Sequence, residues 1–187
     1  MRVIAGIYRS RVLKAPDGLA TRPTSDRLRE TLFNVLAPCI QGAAILDLYA
    51  GSGAVGIEAL SRGAERVVFV ERAQAALAVL RGNLEKLGIS AGAQVRVSSA
   101  AAFLRGAKSG GFGIVFLDPP YDAVDEYANT LDLLGGATAA LLALDALVIA
   151  EHRRKEKLKE CYGSLVRKRL LEQGDAALSF YGAVPSA

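Results

Sequence analysis

From residue 43 onward, short apolar runs alternate with segments whose apolar residues recur at helical spacing. Leu77, Leu80, Leu84 and Leu87 follow this spacing and predict a helix over residues 73–87 that ends at Gly88. The other predicted elements are strands at residues 43–49, 66–71, 94–98, 113–118 and 145–151, and helices at residues 54–62 and 124–134. Strands that alternate with helices predict a parallel sheet covered on both faces, which is a doubly wound α/β fold.

The two ends of the chain depart from this alternation. Residues 164–171 and 176–181 are rich in β-forming residues and are joined by a polar turn, so they predict a hairpin whose last strand enters the sheet antiparallel. Residues 2–14 predict a second hairpin, and a helix should follow from Thr24 or Ser25 to about residue 37. We therefore expect a small N-terminal extension at residues 1–38, before a main domain at residues 39–187.

Basic residues are concentrated in two blocks. Residues 1–30 carry seven basic and three acidic side chains, and residues 153–169 carry eight basic and two acidic ones. Such blocks suit the binding of a polyanion, because each phosphate that a basic side chain neutralises releases counterions. The alternative interpretation is two solvated faces. The candidate phosphate contacts of the extension are Arg9, Arg11, Arg22, Arg27 and Arg29.

Little in the sequence favours a metal site or a serine triad. His152 is the only histidine, and Cys39 and Cys161 have no metal-ligand spacing. We therefore expect no metal, and two structural thiols in a reducing cytoplasm. The longest apolar region, residues 135–150, is interrupted by Asp145 and is too short to cross a bilayer, so we expect no membrane association.

A glycine-rich motif stands where the first strand turns into a helix. It follows the GxGxxG pattern, and Glu71 lies twenty residues after Gly51. This spacing fits a nicotinamide enzyme as well as a methyltransferase, and a plain turn or a surface acid are further interpretations. Asp47 favours S-adenosylmethionine, because a carboxylate suits its ammonium and sulfonium charges but would repel a pyrophosphate. The candidate cofactor contacts are Asp47, Ala50, Gly51, Ser52, Gly53 and Glu71, with Ser99 and Ala100 beside the adenine.

A second motif, Asp118-Pro119-Pro120-Tyr121, follows the apolar run 114–117. Prolines lack an N–H, so the segment presents the Asp118 carboxylate and the Pro119 carbonyl as neighbouring acceptors. Two acceptors can hold both N–H bonds of a planar amino group while its nitrogen attacks a methyl group. Tyr121 offers a ring on which a base can stack. A tight turn without chemistry is the alternative.

The second motif resembles the signature of class I methyltransferases that act on exocyclic amines of nucleobases. The whole chain resembles a narrower family, the RsmD-type 16S rRNA guanine-N2 methyltransferases of the small ribosomal subunit. The segments that carry this resemblance are residues 2–6 with Arg9 and Arg11, residues 22–34, residues 46–63 and residues 118–121. Relatives often have Asp or Asn before the alanine that corresponds to Ala100, where this chain has Ser99.

The resemblance implies a Rossmann-like sheet of seven strands with the last one antiparallel. It also implies S-adenosylmethionine as cofactor and 16S rRNA as substrate, either naked or within a small subunit, and we expect a monomer. Asp118, Pro119 and Tyr121 would then act on the target guanine. Three alternatives remain from the residues alone: a small-molecule methyltransferase, a DNA adenine-N6 methyltransferase and a non-catalytic ribosome-assembly factor.

Overall fold

The computed structural model describes residues 1–15, 26–108, 110–120 and 123–183, which contain five α-helices and eight strands. The helices are α1 Asp26–Leu36, α2 Ala54–Ser61, α3 Gln74–Lys86, α4 Ala100–Gly106 and α5 Val124–Gly135. The strands are β1 Ala44–Leu48, β2 Arg66–Glu71, β3 Ala93–Val97, β4 Phe112–Leu117, β5 Leu142–Arg153, β6 Cys161–Tyr162, β7 Leu165–Gln173 and β8 Ala176–Ala183. Among these residues, no helix is both long and apolar enough to cross a membrane.

All eight strands form one sheet in the order β3-β2-β1-β4-β5-β8-β7-β6. The first five strands pair in parallel, and β8 lies antiparallel between β5 and β7. The predicted antiparallel entry of the last strand is therefore confirmed. The sheet has one strand more than the expected seven, because the two-residue β6 pairs with the start of β7.

Apolar side chains alternate along the strands between two cores, one on each face of the sheet. Ile114 and Phe116 of β4 join a cluster that includes Leu32 of α1 and Ile57 of α2. Val115, the residue between them, joins the opposite cluster, which the helices α4 and α5 cover. Because consecutive strand residues point to opposite faces, the strands are buried on both sides and form continuous apolar runs in the sequence.

Two local predictions differ from the structure. The N-terminal hairpin is reduced to a single antiparallel bridge between Arg2 and Val12, and turns and bends occupy residues 5–10. Helix α4 was not predicted, since seven residues are too short for a clear helical period. The Ser99 hydroxyl accepts a hydrogen bond from the Ala102 N–H at 3.2 Å and caps this helix.

The N-terminal segment, residues 1–15, is fixed to α2 and α3. The buried Glu58 carboxylate of α2 accepts the N–H groups of Ile4 and Ala5 at 2.7 and 3.0 Å. The Asn83 side chain of α3 accepts the Lys14 N–H at 2.9 Å and donates to the Lys14 carbonyl at 3.1 Å. Val3 belongs to the same core cluster as α1 and α2, so the core is continuous across the boundary predicted near residue 38.

Candidate cofactor and active site

A cavity of about 510 Å³ opens at the carboxyl ends of β1, β2 and β4. Ligand sites of parallel α/β sheets lie at this edge, and the volume is in the range of small-molecule sites. Most of the predicted cofactor contacts line it: Asp47, Ala50, Gly51, Ser52, Glu71, Ser99 and Ala100. Sequence positions as far apart as Asp47 and Ala100 thus line one cavity.

The turn between β1 and α2 requires left-handed backbone at Tyr49, Gly51 and Gly53, with φ of 62°, 56° and 79°. Gly53 is not among the described residues that line the cavity, and its role as a cofactor contact stays a prediction. A Cβ at this position would lie 2.3 Å from Leu80 Cδ1. Glycine is favoured at Gly53 chiefly by this positive φ, which glycine adopts without strain, whereas Leu80 could shift its side chain.

The Glu71 carboxylate holds the turn from the neighbouring strand β2. Its Oε2 accepts the Gly51 N–H at 2.9 Å, and its Oε1 accepts the N–H groups of Arg72 and Ala73 at 2.7 and 2.8 Å. A carboxylate has about four acceptor positions, so Oε2 keeps one for a ligand. Glu71 can thus support the glycine turn and accept a hydroxyl at the same time.

Asp47 lies at the floor of the cavity, and its side chain is buried. Its Oδ2 accepts the Gly56 N–H at 3.0 Å. Burial, partly offset by this hydrogen bond, raises the pKa of Asp47 from 3.8 to about 7, and the nearby Glu71 charge adds to the rise. A buried carboxylate without a cationic partner loses its charge readily near neutral pH.

Asp118 and Pro119 also line this cavity, directly beyond the end of β4. Burial, with the charges of Glu151 and Asp47, raises the pKa of Asp118 well above its ordinary range. The register places Ala150 beside Leu117, so Glu151 follows on β5 as Asp118 follows on β4. Tyr121, the third predicted catalytic residue, lies outside the described residues.

Arg72 also lines the cavity, but it is not paired with the Asp47 or Asp118 carboxylate. In the described part of the chain, neither Asp47 nor Asp118 takes part in an ion pair. S-adenosylmethionine fits this arrangement, because its ammonium and sulfonium groups would supply the charge and Glu71 could accept its ribose hydroxyls. A pyrophosphate would be repelled by the same carboxylates.

Sequence reasoning missed a contact between the glycine turn and α5. The Tyr49 hydroxyl lies 2.7 Å from both Glu126 Oε2 and Thr130 Oγ1, and Tyr49 and Glu126 line the cavity. Burial raises the pKa of Tyr49, so the phenol stays protonated and donates. Tyr49 stands inside the glycine motif, and that position could have singled it out. Glu126 belongs to no sequence motif, and only the packing of α5 brings it to the cavity.

The five predicted phosphate contacts have different environments. Arg9, Arg11 and Arg27 are exposed, whereas Arg22 lies outside the described residues. The Arg29 prediction is wrong, because this side chain is completely buried. Its guanidinium donates to the Arg2 carbonyl and to Asp26 Oδ1 and lies 3.8 Å from the buried Glu58 carboxylate. Arg29 therefore anchors α1 to α2 and cannot reach a phosphate.

Comparison with known proteins is consistent with this geometry. A family model described as conserved hypothetical protein 95 matches residues 1–182. YlbH of Bacillus subtilis, which carries a provisional rRNA methyltransferase name, is 38% identical over 192 residues, covering 97% of this chain and 98% of that protein. Ribosomal RNA small subunit methyltransferase D of Escherichia coli is 43% identical over 153 residues, covering 81% and 74%.

The solved structure of yhhF from Escherichia coli, which carries a provisional methyltransferase name, is 37% identical. It superposes with a TM-score of 0.86 and covers 98% of this chain and 97% of its own. The predicted class I methyltransferase fold is thereby confirmed. The chain belongs to the conserved hypothetical protein 95 family, the family of RsmD-type, S-adenosylmethionine-dependent methyltransferases.

Proposed function

We propose that the protein transfers a methyl group from S-adenosylmethionine to the exocyclic N2 amino group of a guanine in 16S rRNA. The observation that carries the proposal is the cavity in which Asp118 and Pro119 lie with Glu71 and the glycine turn. An amine-binding motif and a cofactor-binding turn that share one cavity suit direct transfer between two bound molecules. The relative from Escherichia coli is named for small-subunit rRNA.

The proposed roles follow from the chemistry of each group. Glu71 accepts the ribose hydroxyls, and Asp47 balances the positive charge of the cofactor. When bound, S-adenosylmethionine supplies an activated methyl group. The Asp118 carboxylate and the Pro119 carbonyl accept the two N–H bonds of the guanine amine and orient its nitrogen toward the methyl carbon, so that catalysis rests mainly on orientation.

The extra proton on the methylated nitrogen leaves after transfer, to Asp118 or to water. No strong base is required, because the methylated nitrogen carries a positive charge and is far more acidic than the neutral amine. In its ionised form, the Asp118 carboxylate can accept this proton.

RNA contact is assigned to exposed arginines of the N-terminal extension, Arg9, Arg11 and Arg27, together with Arg22. Their contacts with phosphates would offset the cost of removing a base from its stack, which is on the order of 2–4 kcal/mol. We further propose that the protein works as a monomer in the cytoplasm, where its rRNA substrate is made.

Isotope labelling tests this function directly. The purified protein is incubated with methyl-labelled S-adenosylmethionine and either naked 16S rRNA or small ribosomal subunits, and the digested nucleosides are separated by mass spectrometry. We expect label in N2-methylguanosine. Label only in another nucleoside, or none with either substrate, would contradict the proposal.

Two variants of Asp118 test the role assigned to this side chain. Asp118→Ala should abolish labelling while S-adenosylmethionine binding stays near the wild-type affinity, because this side chain is assigned to the base. Asp118→Asn should retain part of the activity, since its amide oxygen can still accept one hydrogen bond. A wild-type rate for Asp118→Ala would remove Asp118 from the mechanism.

A further inference from the structure

The second basic block of the sequence forms one end of the sheet. Six of its side chains are exposed, and we call them the basic strip: Arg154, Lys155, Lys157, Lys159, Lys168 and Arg169. They lie on β7 and on residues 154–160, which run beside the hairpin of β7 and β8. None of the six takes part in an ion pair within the described chain.

Backbone contacts hold the segment 154–160 in place at both ends. The Arg154 N–H donates to the Asp175 carbonyl at 2.8 Å, in the turn between β7 and β8. At the other end, the Arg167 N–H donates to the Glu160 carbonyl at 2.8 Å, and the Tyr181 hydroxyl donates to the Lys159 carbonyl at 2.9 Å. The cations therefore stand on an ordered backbone, which lowers the entropy cost of binding a partner.

The acidic residues of the block do not neutralise the strip. Glu160 is paired with Arg167, which is not one of the six. The bulge between Arg167 and Arg169 shifts the β7–β8 register and breaks the regular ladder at Lys168. Beyond the two residues that pair with β6, β7 has no outer strand in the described part of the chain, and its charge and bulge also prevent strands of other molecules from pairing there. Within the described chain, the six cations are thus not paired with acidic side chains and can meet an anionic partner.

The strip begins at the same edge of the sheet as the cavity, at the end of β5. Arg153 ends β5, whose neighbour β4 leads into Asp118, and the turn at Asp175 lies at the same edge. Adjacent strands are about 4.8 Å apart, so β7 is roughly 14 Å from β4 across β5 and β8. A nucleic-acid strand that delivers a base to Asp118 can cover this distance with its backbone.

The strip is also continuous with one of the proposed RNA contacts. The Thr31 hydroxyl of α1 lies 3.2 Å from the Gln173 side chain at the end of β7. The same hydroxyl donates to the Arg27 carbonyl, one helical turn earlier, at 3.1 Å. Arg27 therefore lies within about one turn of the corner where the strip starts, a distance of roughly 5 Å along the helix axis.

We propose that the basic strip is a second RNA-binding surface, which holds the phosphate backbone of the substrate beside the active site and extends from Arg27 along the outer edge of the sheet. This inference rests on the proposed rRNA methyltransferase function. The strip consists of exposed cations, which suit phosphates, so it binds the RNA backbone without discriminating between base sequences.

The test uses the full-length protein and paired substitutions at the two ends of the same sheet. Lys155→Gln with Lys157→Gln, and separately Lys168→Gln with Arg169→Gln, remove charge from the strip. The matched control is Arg96→Gln with Arg105→Gln, two exposed cations on β3 and α4 at the opposite end. Affinity for 16S rRNA is measured over a range of salt concentrations for the wild type and the three variants.

We expect each strip pair to weaken rRNA binding and to lower the slope of log affinity against log salt by about 0.7–0.9 for every phosphate that the variant no longer neutralises. The control pair should keep the wild-type slope. The affinity for an unrelated RNA of equal length should fall to the same extent. Methyl transfer at saturating rRNA should keep the wild-type rate, because the strip does not touch the reacting groups.

Two outcomes would overturn the inference while leaving the proposed function intact. One is wild-type affinity and slope for both strip pairs, with wild-type methylation. The other is unchanged rRNA binding together with abolished binding to phosphatidylserine vesicles, which would make the strip a membrane surface. Failure of the proposed function has a different signature, since the wild-type protein itself would then produce no labelled N2-methylguanosine.

Discussion

Glu71 supports the glycine turn and is proposed to hold the ribose, and its substitution should affect both. Glu71→Ala removes the acceptor proposed for the ribose and also the partner of three backbone N–H groups. We expect S-adenosylmethionine binding to weaken by about 1–3 kcal/mol, the scale for a partner of charged hydrogen bonds, and Glu71→Gln to have a smaller effect. Calorimetric titration measures both. Equal affinity of Glu71→Ala and the wild type would show that the ribose is held elsewhere.

Asp47 should make cofactor binding depend on pH. Its pKa in the folded protein is about 7 against an ordinary 3.8, so folding favours the protonated form. The stability this gives is fully present below about pH 4 and disappears as pH rises through about 7. A cationic ligand favours the ionised form, so S-adenosylmethionine affinity should rise between about pH 6 and 8 and then level off.

Asp47→Asn provides the control for this pH dependence. Its amide oxygen can still accept the Gly56 N–H, but the group no longer titrates. Affinity measured by calorimetry should then change less with pH than in the wild type. Identical pH curves for the two proteins would show that the titrating group is not Asp47.

The residues that sequence could identify share one property, which is their place at the end of an apolar strand. Asp47, Glu71 and Asp118 stand there, and parallel strands bring their carboxyl ends to one edge. Glu126 could not be found, because its contact with Tyr49 depends on how α5 packs. Arg29 was misassigned because its burial beside Glu58 depends on how α1 packs against α2, which the local sequence does not show.

At the scale of elements, α2 is the support of the N-terminal segment. Glu58→Ala would remove the buried carboxylate beside the Arg29 guanidinium, leaving only the half-exposed Asp26 as its ion-pair partner, and would free the N–H groups of Ile4 and Ala5. Breaking a buried ion pair costs about 3–5 kcal/mol, so the free energy of unfolding in urea should fall by that order. Glu85→Ala, an exposed acid on α3, should stay within about 0.5 kcal/mol of the wild type.

A small effect of Glu58→Ala, equal to that of Glu85→Ala, would mean that the N-terminal segment is held mainly by its apolar residues. Val3 and Leu13 would then carry the attachment through the core.

The N-terminal turn is the element on which the first RNA assignment rests. Arg9 and Arg11 are exposed there, and the neighbouring backbone is bonded to Ser61 at the end of α2. Replacing both arginines by alanine should leave the fold and cofactor binding intact. RNA affinity should fall, and the salt slope should shrink by about one unit for each phosphate left without its arginine. Salt titration of rRNA binding measures this.

Unchanged affinity and slope for this double variant would make the turn a solvated face. The Arg96→Gln and Arg105→Gln protein again serves as the matched control, because it removes the same charge from another element.

Elements whose apolar residues recur with a clear period were predictable from the sequence. Elements that are fixed by tertiary contacts were not. Helix α3 was correct to within a residue at each end, as its leucines predict. The N-terminal hairpin was wrong because its backbone N–H groups are satisfied by Glu58 and Ser61 side chains instead of by a partner strand. Helix α4 depends on the Ser99 cap and on packing against the sheet, which no periodic pattern records.

At the scale of the whole molecule, the alternation of strands and helices predicted the layers of the fold but not the order of the strands within the sheet. The antiparallel hairpin was visible in the turn between β7 and β8. Its insertion beside β5 is a long-range choice that pairs Val148 with Tyr181. Local sequence does not indicate which strand the hairpin pairs with, because this pairing depends on which exposed edge of the sheet the hairpin can bury.

The position of β8 also has a consequence for biosynthesis. This strand follows β7 along the chain, yet it separates β7 from β5 in the sheet. While the polypeptide is being made, β5 keeps an open edge, and β7 has only the two-residue β6 as a partner. An open edge invites wrong pairing with other chains. A protein proposed to modify ribosomal RNA therefore cannot close its own sheet until residues 176–183 have left the ribosome that makes it.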